Sequence, residues 1–263
     1  MSALVSRIFV AALLLPLVLL AIWGGEWWLF GLAAVAAVLA LHEFYVMTRS
    51  FRPVVAAGYV GTLAALLGAM WGPEWALGGF LATFGLAFLF KGLAGAAPTT
   101  GSTAATMLGA AWIGLGLACM ILIREIPEHG VLAAFTVLLA VFASDTVAYF
   151  AGRFLGRHKL APRTSPGKTW EGLAAGTIAA VLVPFFALYE QGLLDVVHSL
   201  VLGGAIAIAA PMGDLFESAL KRDAGIKDAG RLLLGHGGIL DRLDALLFAG
   251  VAAYYVLLAF GVA

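Results

Sequence analysis

The stretch that decides the fold is residues 131–150, VLAAFTVLLAVFASDTVAYF, in which Asp145 is the only charged residue. At about 1.5 Å per residue, a helix of this length crosses the ~30 Å hydrocarbon core of a bilayer. Similar apolar runs recur along the chain, so we predict about nine transmembrane helices, at residues 7–23, 27–47, 54–71, 75–90, 103–123, 131–150, 172–189, 199–220 and 240–260. The predicted fold class is an all-α, polytopic membrane helix bundle.

The composition of the whole chain also indicates a lipid environment. Of the 263 residues, 63% are apolar and 11% are charged, whereas soluble domains carry roughly 25% charged residues. Fifteen basic residues balance fifteen acidic ones, so the chain lacks the excess of positive charge typical of a nucleic-acid-binding protein. A single cysteine, Cys119, excludes an intrachain disulfide and a zinc site built from cysteines. We therefore expect an integral membrane protein with no nucleic-acid partner.

The distribution of basic residues predicts the orientation, because Lys and Arg are enriched in short cytoplasmic loops. With nine spans, the N-terminus and the loops near 48–53, 91–102, 151–171 and 221–239 lie on one side of the membrane. Fourteen of the fifteen basic residues fall on that side or at its span ends, and only Arg124 falls on the other. We expect a cytoplasmic N-terminus, and we expect the polar loops on its side to face the cytoplasm.

Charged residues are concentrated in the C-terminal part of the chain. Residues 145–244 hold 20 of the 30 charged side chains, and the first 144 residues hold the other ten. We predict an N-terminal transmembrane scaffold at 1–130 and a C-terminal catalytic region at 131–263. The cytoplasmic loops of the catalytic region are predicted at 151–171 and 221–239.

The first polar loop, residues 156–172, reads GRHKLAPRTSPGKTWEG. Its basic and hydroxyl side chains suit an anionic ligand such as a phosphate chain. A P-loop is excluded, because that motif needs Gly where this chain has Pro162. Taken alone, the loop fits a role in setting topology or in contacting lipid headgroups equally well. Asp145 lies eight residues before Arg153, about 12 Å of helix below the cytoplasmic end of its span. An acid at that depth either lines a polar cavity or pairs with a loop arginine.

The second polar segment reads GDLFESALKRDAGIKD at residues 213–228 and GHGGILDRLD at residues 235–244. Four polar residues of its first part share one helix face at i, i+3, i+4 and i+7: Asp214, Glu217, Ser218 and Lys221. Two carboxylates open the last span, Asp241 and Asp244. Clustered carboxylates without cysteines favour a hard cation with oxygen ligands, above all Mg²⁺. Nearby bases suit the remaining charge of a metal–triphosphate complex: Lys221, Arg222, Lys227, Arg231 and Arg242.

This segment resembles the signature of the phosphatidate cytidylyltransferases, also called CDP-diacylglycerol synthases. Eleven positions over 27 residues match the pattern Ser-x-x-Lys-Arg, Lys-Asp and His-Gly-Gly-x-x-Asp-Arg-x-Asp: Ser218, Lys221, Arg222, Lys227, Asp228, His236, Gly237, Gly238, Asp241, Arg242 and Asp244. The stretches around Ser144-Asp145-Thr146 and Ser165-Pro166-x-Lys168-Thr169-x-Glu171-Gly172 are similar to family elements too. One departure is Gly167, where many members carry Lys. The resemblance is specific for residues 144–244.

The resemblance implies a homodimeric membrane enzyme that uses CTP and Mg²⁺ to convert phosphatidate into CDP-diacylglycerol, and a second cation is a further candidate cofactor. We expect this enzyme in a bacterial cytoplasmic (inner) membrane, with its active site facing the cytoplasm. The expected metal ligands are Asp214 and Asp241. The expected catalytic residues are these two carboxylates together with Asp244, Lys221 and Arg222. The residues expected to bind a substrate are Asp145, Lys159, Ser165, Lys168, Thr169, Ser218, Lys227, His236, Gly237, Gly238 and Arg242.

Two rival functions use similar polar groups. A secondary transporter of a phosphorylated solute also carries intramembrane acids and basic rings, although it should show repeats and broken helices that this sequence does not display. A related enzyme, either a CTP-dependent lipid kinase or a cytidylyltransferase for an isoprenoid lipid phosphate, would share the polar loops. Transfer of label from CTP to lipid distinguishes these functions.

Overall fold

The computed structural model describes residues 3–95, 99–188, 191–227, 229–230 and 237–263, with side chains from residue 14 onward. Of the described residues, 79% are helical, which confirms the predicted all-α membrane class. Within the described ranges, seven helices are long and apolar enough to cross a membrane. Two further helices are apolar: the first helix, Ala3–Gly24, has 22 residues with side chains described from Leu14 onward, and Val55–Ala69 has 15 residues. Seven spans are therefore supported by length, where nine were predicted.

The helices follow one another in this order along the chain: α1 (Ala3–Gly24), α2 (Glu26–Met47), α3 (Val55–Ala69), α4 (Pro73–Leu93), α5 (Thr100–Gly109), α6 (Gly116–Arg124), α7 (Gly130–Phe154), α8 (Trp170–Leu188), α9 (Val196–Asp223) and α10 (Leu240–Ala259). A π-helical turn, Ala110–Leu115, joins α5 to α6, so that Thr100–Arg124 forms one span. Each of the nine predicted apolar runs overlaps one of these helical segments. A long apolar run indicates a helix, because a single segment in lipid satisfies its backbone hydrogen bonds only as a helix.

A two-stranded antiparallel hairpin lies within the predicted loop 151–171. Strand β1 (Lys159–Ala161) pairs with strand β2 (Ser165–Thr169), with Lys159 opposite Thr169 and Ala161 opposite Ser165. Helix α8 follows β2 directly. The hairpin is an addition to the predicted helical fold. Strands this short leave no alternating pattern in the sequence that could have revealed them.

The chain divides into two compact units. The first comprises Met1–Glu125 and Asp228–Leu243, and the second comprises Ile126–Lys227 and Asp244–Ala263. Glycines bring the helices of the first unit together: a Cβ at Gly79 of α4 would overlap the backbone of Ala64 and Ala65 in α3. Arg124, the one basic residue assigned to the outer side, donates from Nε to the carbonyl oxygen of Ile22 at 2.6 Å. This bond satisfies a carbonyl in the last turn of α1.

Glycines also set the helix packing of the second unit. Gly172 and Gly176, four residues apart on α8, face α7, since a Cβ at either would lie 2.7 Å from the Ala148 oxygen or 2.8 Å from the Ser144 oxygen. On α9, a Cβ at Gly203 would lie 2.6 Å from the Cα of Val181 in α8. Small residues spaced in this way let helices approach closely in a membrane. The close packing fixes the position of α7, and hence of Asp145, against α8.

Candidate active site

An ion pair between the hairpin and α9 forms the centre of the candidate site in the second unit. Lys168 Nζ, on β2, lies 2.8 Å from Asp214 Oδ2, and the two side chains are 23% and 33% exposed. One turn further along α9, Ser218 Oγ donates to Asp214 Oδ1 at 3.4 Å. Because lysine and aspartate both keep part of their surface open, a ligand can reach this pair.

Two more carboxylates of the second unit lie near this pair. Asp145 on α7 is exposed and close enough to Asp214 and Lys168 for their charges to interact. Asp244 on α10 is 9% exposed and interacts with the charges of Asp214, Asp145 and Lys221. Asp145, Asp214 and Asp244 thus bring three carboxyl groups into one region of the second unit, which suits a bound cation.

The packing explains why these acids meet. A Cβ at Gly213 would overlap the carbonyl oxygen of Asp244, so the glycine before Asp214 lets α9 approach this turn of α10. Thr169 is buried and accepts a hydrogen bond from the Gly172 N–H at 3.1 Å, which satisfies a donor in the first turn of α8. The predicted contact of Thr169 with a substrate stays a prediction, while the structure gives Thr169 a capping role.

The basic residues of the second unit differ in their surroundings. Lys221 Nζ lies 2.5 Å from Glu217 Oε2, and the Glu217 side chain is 1% exposed. Arg222 Nε donates to the Thr164 carbonyl oxygen at 3.3 Å, which ties the end of α9 to the hairpin turn. The other predicted basic residues of this unit, Lys159 and Lys227, are exposed, and Ser165 is half-buried. These three remain predicted substrate contacts.

The remaining predicted residues belong to the first unit. The Asp241 carboxylate accepts hydrogen bonds from the Ala229 N–H at 3.1 Å and the Gly238 N–H at 2.7 Å. Gly237 has φ +79°, a value that favours glycine, and Arg242 is exposed. His236 lies outside the described residues. In this unit Asp241 therefore organises the glycine turn that precedes α10.

Sequence reasoning missed one residue of the first unit, Glu43. Its side chain on α2 is 4% exposed and accepts hydrogen bonds from the Ile239 and Leu240 N–H groups. The signal was present, because Glu43 is a lone carboxylate inside an apolar run, as Asp145 is. Its partners could not be read from the sequence, since they lie at the other end of the chain.

The structure thus distributes the predicted residues over two sets. The second unit brings together Asp145, Lys168, Asp214, Ser218 and Asp244, and the first groups Gly237, Gly238 and Asp241. The two expected metal ligands, Asp214 and Asp241, belong to different units. Among the described residues, no three His, Cys, Asp or Glu side chains form a group that could hold a metal by themselves. Any ion here would need oxygens from water or a ligand.

Comparison with known proteins shows which family the chain belongs to. The model of a family described as the cytidylyltransferase family matches residues 5–260. The phosphatidate cytidylyltransferase of Bacillus subtilis (strain 168) is 40% identical over 154 residues, which are 58% of this chain and 57% of that protein. That of Haemophilus influenzae is 41% identical over 128 residues, or 47% of this chain and 44% of that protein.

A longer similarity links the chain to the phosphatidate cytidylyltransferase of Mycobacterium bovis. The two are 36% identical over 250 residues, which cover 86% of this chain and 79% of that protein. In contrast, the chain spans about half the length of the curated relatives from Bacillus and Haemophilus that it matches. The similarity extends well beyond the short signature and into the N-terminal helices.

Proposed function

We propose that this chain, which belongs to the cytidylyltransferase family, transfers the cytidylyl group of CTP to phosphatidate and releases CDP-diacylglycerol and pyrophosphate. The observation that carries the proposal is the cluster of Asp145, Lys168, Asp214 and Asp244 in the second unit. It lies in the part of the chain that carries the family signature. Acids for a cation beside a base for phosphate are what a nucleotide–metal substrate requires.

The chemistry needs no strong general base. An oxygen of the lipid phosphate attacks the α-phosphorus of CTP, and the bond from that phosphorus to the oxygen bridging to the β-phosphate breaks. The nucleophile is already anionic at neutral pH, because the second pKa of a phosphate monoester is about 6. The main barrier is repulsion between two anions together with charge growing on pyrophosphate, and cationic groups lower both. We assign this role to Lys168, Lys221 and Arg222, with Arg242 as a further candidate.

Mg²⁺ fits the residues of the second unit. This ion is usually bound through one or two carboxylates and keeps its other positions for water and substrate phosphates, so it needs no cage of three acids. Asp214, flanked by Asp145 and Asp244, would hold it. When bound, the ion would neutralise phosphate charge and orient the reacting oxygens. Asp241 as a metal ligand, and a second cation, stay predictions from the sequence and the family resemblance.

The proposed topology has nine spans, in which α1 and α3 cross the membrane in addition to the seven spans named above. The N-terminus would lie in the cytoplasm. Support comes from the helix ends: Lys91, Arg153, Lys221 and Arg222 lie in the last turns of α4, α7 and α9. With nine spans, all these ends face the cytoplasm, as the enrichment of basic residues there requires.

We also propose that the chain works as a homodimer in a bacterial cytoplasmic membrane. The dimer is implied by the family resemblance, and the membrane by the apolar helices and the bacterial sources of the relatives. Light scattering of the detergent-solubilised protein measures the oligomeric state. A mass of one chain after correction for detergent would contradict the dimer.

The decisive experiment is a transfer assay with the purified chain in mixed micelles. Phosphatidate, Mg²⁺ and CTP labelled at the α-phosphate are supplied, and a parallel reaction uses CTP labelled at the γ-phosphate. We expect α-label, and no γ-label, to move into the lipid, and ATP not to replace CTP. Lipid that gains only γ-phosphate would indicate a kinase, and no turnover would favour a carrier. Transfer to an isoprenoid phosphate but not to phosphatidate would change the lipid substrate.

A further inference from the structure

A buried carboxylate on α2, outside the residues that carry the family signature, holds the glycine turn in front of α10. Glu43 is 4% exposed, and a buried carboxylate is costly unless hydrogen bonds satisfy it. Oε1 accepts from the Ile239 N–H at 3.1 Å, and Oε2 accepts from the Leu240 N–H at 2.8 Å. Leu240 is the first residue of α10. One side chain thus satisfies two donors at a helix N-terminus, where a negative charge is favourable.

Two glycines make room for this carboxylate. A Cβ at Gly230 would overlap Glu43 Oε1, and a Cβ at Gly238 would overlap Glu43 Oε2. Gly230 is not among the glycines with positive φ, so its requirement for glycine is steric. Gly230 and Gly238, on the way into α10, therefore both pack against the carboxylate of Glu43.

A second carboxylate closes the same turn. Asp241 accepts from the N–H groups of Ala229 and Gly238. Gly238 therefore lies between two acids: its N–H bonds to Asp241, and its Cα packs against Glu43. Movement of Glu43 would release the Ile239 and Leu240 N–H groups and the packing that keeps Gly238 near Asp241.

We propose that Glu43 is a positioning residue, which holds residues 237–241 in the geometry that the transfer reaction uses. The proposal rests on the proposed function, for which Gly237 and Gly238 are expected to bind a substrate and Asp241 is expected to act in catalysis. Glu43 itself does not touch the substrate. It fixes the direction of the first turn of α10 through the N–H groups of Ile239 and Leu240.

The first test compares Glu43→Gln with Glu26→Gln, an exposed acid at the other end of the same helix. Gln keeps the size of Glu43 but offers one acceptor oxygen, so one N–H loses its partner. We expect kcat to fall by about 10- to 100-fold, as for other residues that orient catalytic groups, with a smaller change in KM for CTP. Glu26→Gln should retain wild-type kinetics. A purely structural role would lower the folded fraction and leave kcat per folded molecule unchanged, which would overturn the proposal.

Hydrogen exchange gives a readout that is independent of activity. Amides in peptides covering residues 237–241 should exchange about tenfold faster or more in Glu43→Gln, because hydrogen bonds to a charged acceptor are strong. Exchange in α7 and α8 should not change. If wild-type protein shows no cytidylyl transfer, the proposed function fails while exchange still decides the role of Glu43. Unchanged exchange at residues 237–241 would overturn the positioning role even in an active enzyme.

A double-mutant cycle keeps the test decisive if one variant folds poorly. Gly230→Ala should lower the midpoint of thermal unfolding in the wild-type background, because its Cβ overlaps Glu43. In the Glu43→Ala background those side-chain atoms are absent, so Gly230→Ala should cost much less. Residues in contact are expected to show such non-additivity. Equal shifts in the two backgrounds would show that the carboxylate does not occupy this pocket, and the proposal would fail.

Discussion

Asp214 is the residue on which the proposed chemistry depends most. Asp214→Asn keeps the size of the side chain but removes the charge that faces Lys168 and the proposed Mg²⁺. Stabilisation by a metal ion supplies several kcal/mol, and about 1.4 kcal/mol corresponds to a tenfold change in rate. We therefore expect turnover to fall by roughly 10² or more, with a curve of rate against Mg²⁺ concentration shifted to higher concentrations.

The matched control is Asp195→Asn, the same substitution at the start of the same helix. Asp195 caps α9 by accepting from the His198 N–H, and Asn caps a helix about as well. Its rate and its Mg²⁺ curve should equal those of the wild type. Folded Asp214→Asn protein with a wild-type rate and an unshifted curve would remove Asp214 from the proposed metal site.

The difference between Asp145 and Glu43 shows what the sequence can reveal about single residues. Both are lone acids in apolar runs, and such acids are costly enough in a membrane to be informative. Asp145 is predicted to be functional from its cost within a span, and a family element also surrounds it, whereas Glu43 has no such element around it. The pairing of Lys168 with Asp214 depends on the hairpin, and no local pattern could have predicted it. The sequence therefore identifies candidate residues by their type and position, but it does not reveal most of their contacts.

At the level of elements, adjacent glycines on α9 provide a test of the helix packing. A Cβ at Gly203 would lie 2.6 Å from the Cα of Val181 in α8, while a Cβ at Gly204 meets nothing within 4 Å. Gly203→Ala should therefore destabilise the protein by about 1–3 kcal/mol, as overpacking does. Gly204→Ala should be neutral or stabilising, since Ala favours a helix over Gly by up to about 1 kcal/mol. Thermal unfolding in detergent measures both, and equal effects would contradict the packing of α8 on α9.

Long helices could be predicted from the sequence, whereas short strands could not. Each apolar run predicts a helix, because only a helix satisfies the backbone hydrogen bonds of a single segment in lipid. The runs at α1 and α3 are both predicted as spans. Helix α1 has 22 residues, whereas α3, with 15, is shorter than the seven helices that are long enough to cross a membrane. The hairpin at 159–169 was not predicted, because its strands are short. Its pairing places Lys168 on a strand, from which the side chain reaches Asp214 of α9.

At the scale of the whole molecule, the unequal distribution of basic residues between the two sides of the membrane predicts its orientation. The bases at the ends of α4, α7 and α9 argue for a cytoplasmic location of these ends. Arg124, the exception, is held by the Ile22 and Trp23 carbonyl oxygens of α1. Because these hydrogen bonds explain the position of Arg124, this residue is only weak evidence against the orientation that the other basic residues indicate.

Cysteine labelling in intact cells tests this orientation. The native Cys119 is buried, and Cys119→Ala removes any background. Two exposed positions then receive a single thiol each, Glu128→Cys before α7 and Lys227→Cys after α9. With nine spans, Glu128→Cys should react with an impermeant maleimide from outside, and Lys227→Cys should react only after permeabilisation. The reverse pattern would place Lys168 and Asp214 on the side that CTP does not reach, and the proposed enzyme could not work in that orientation.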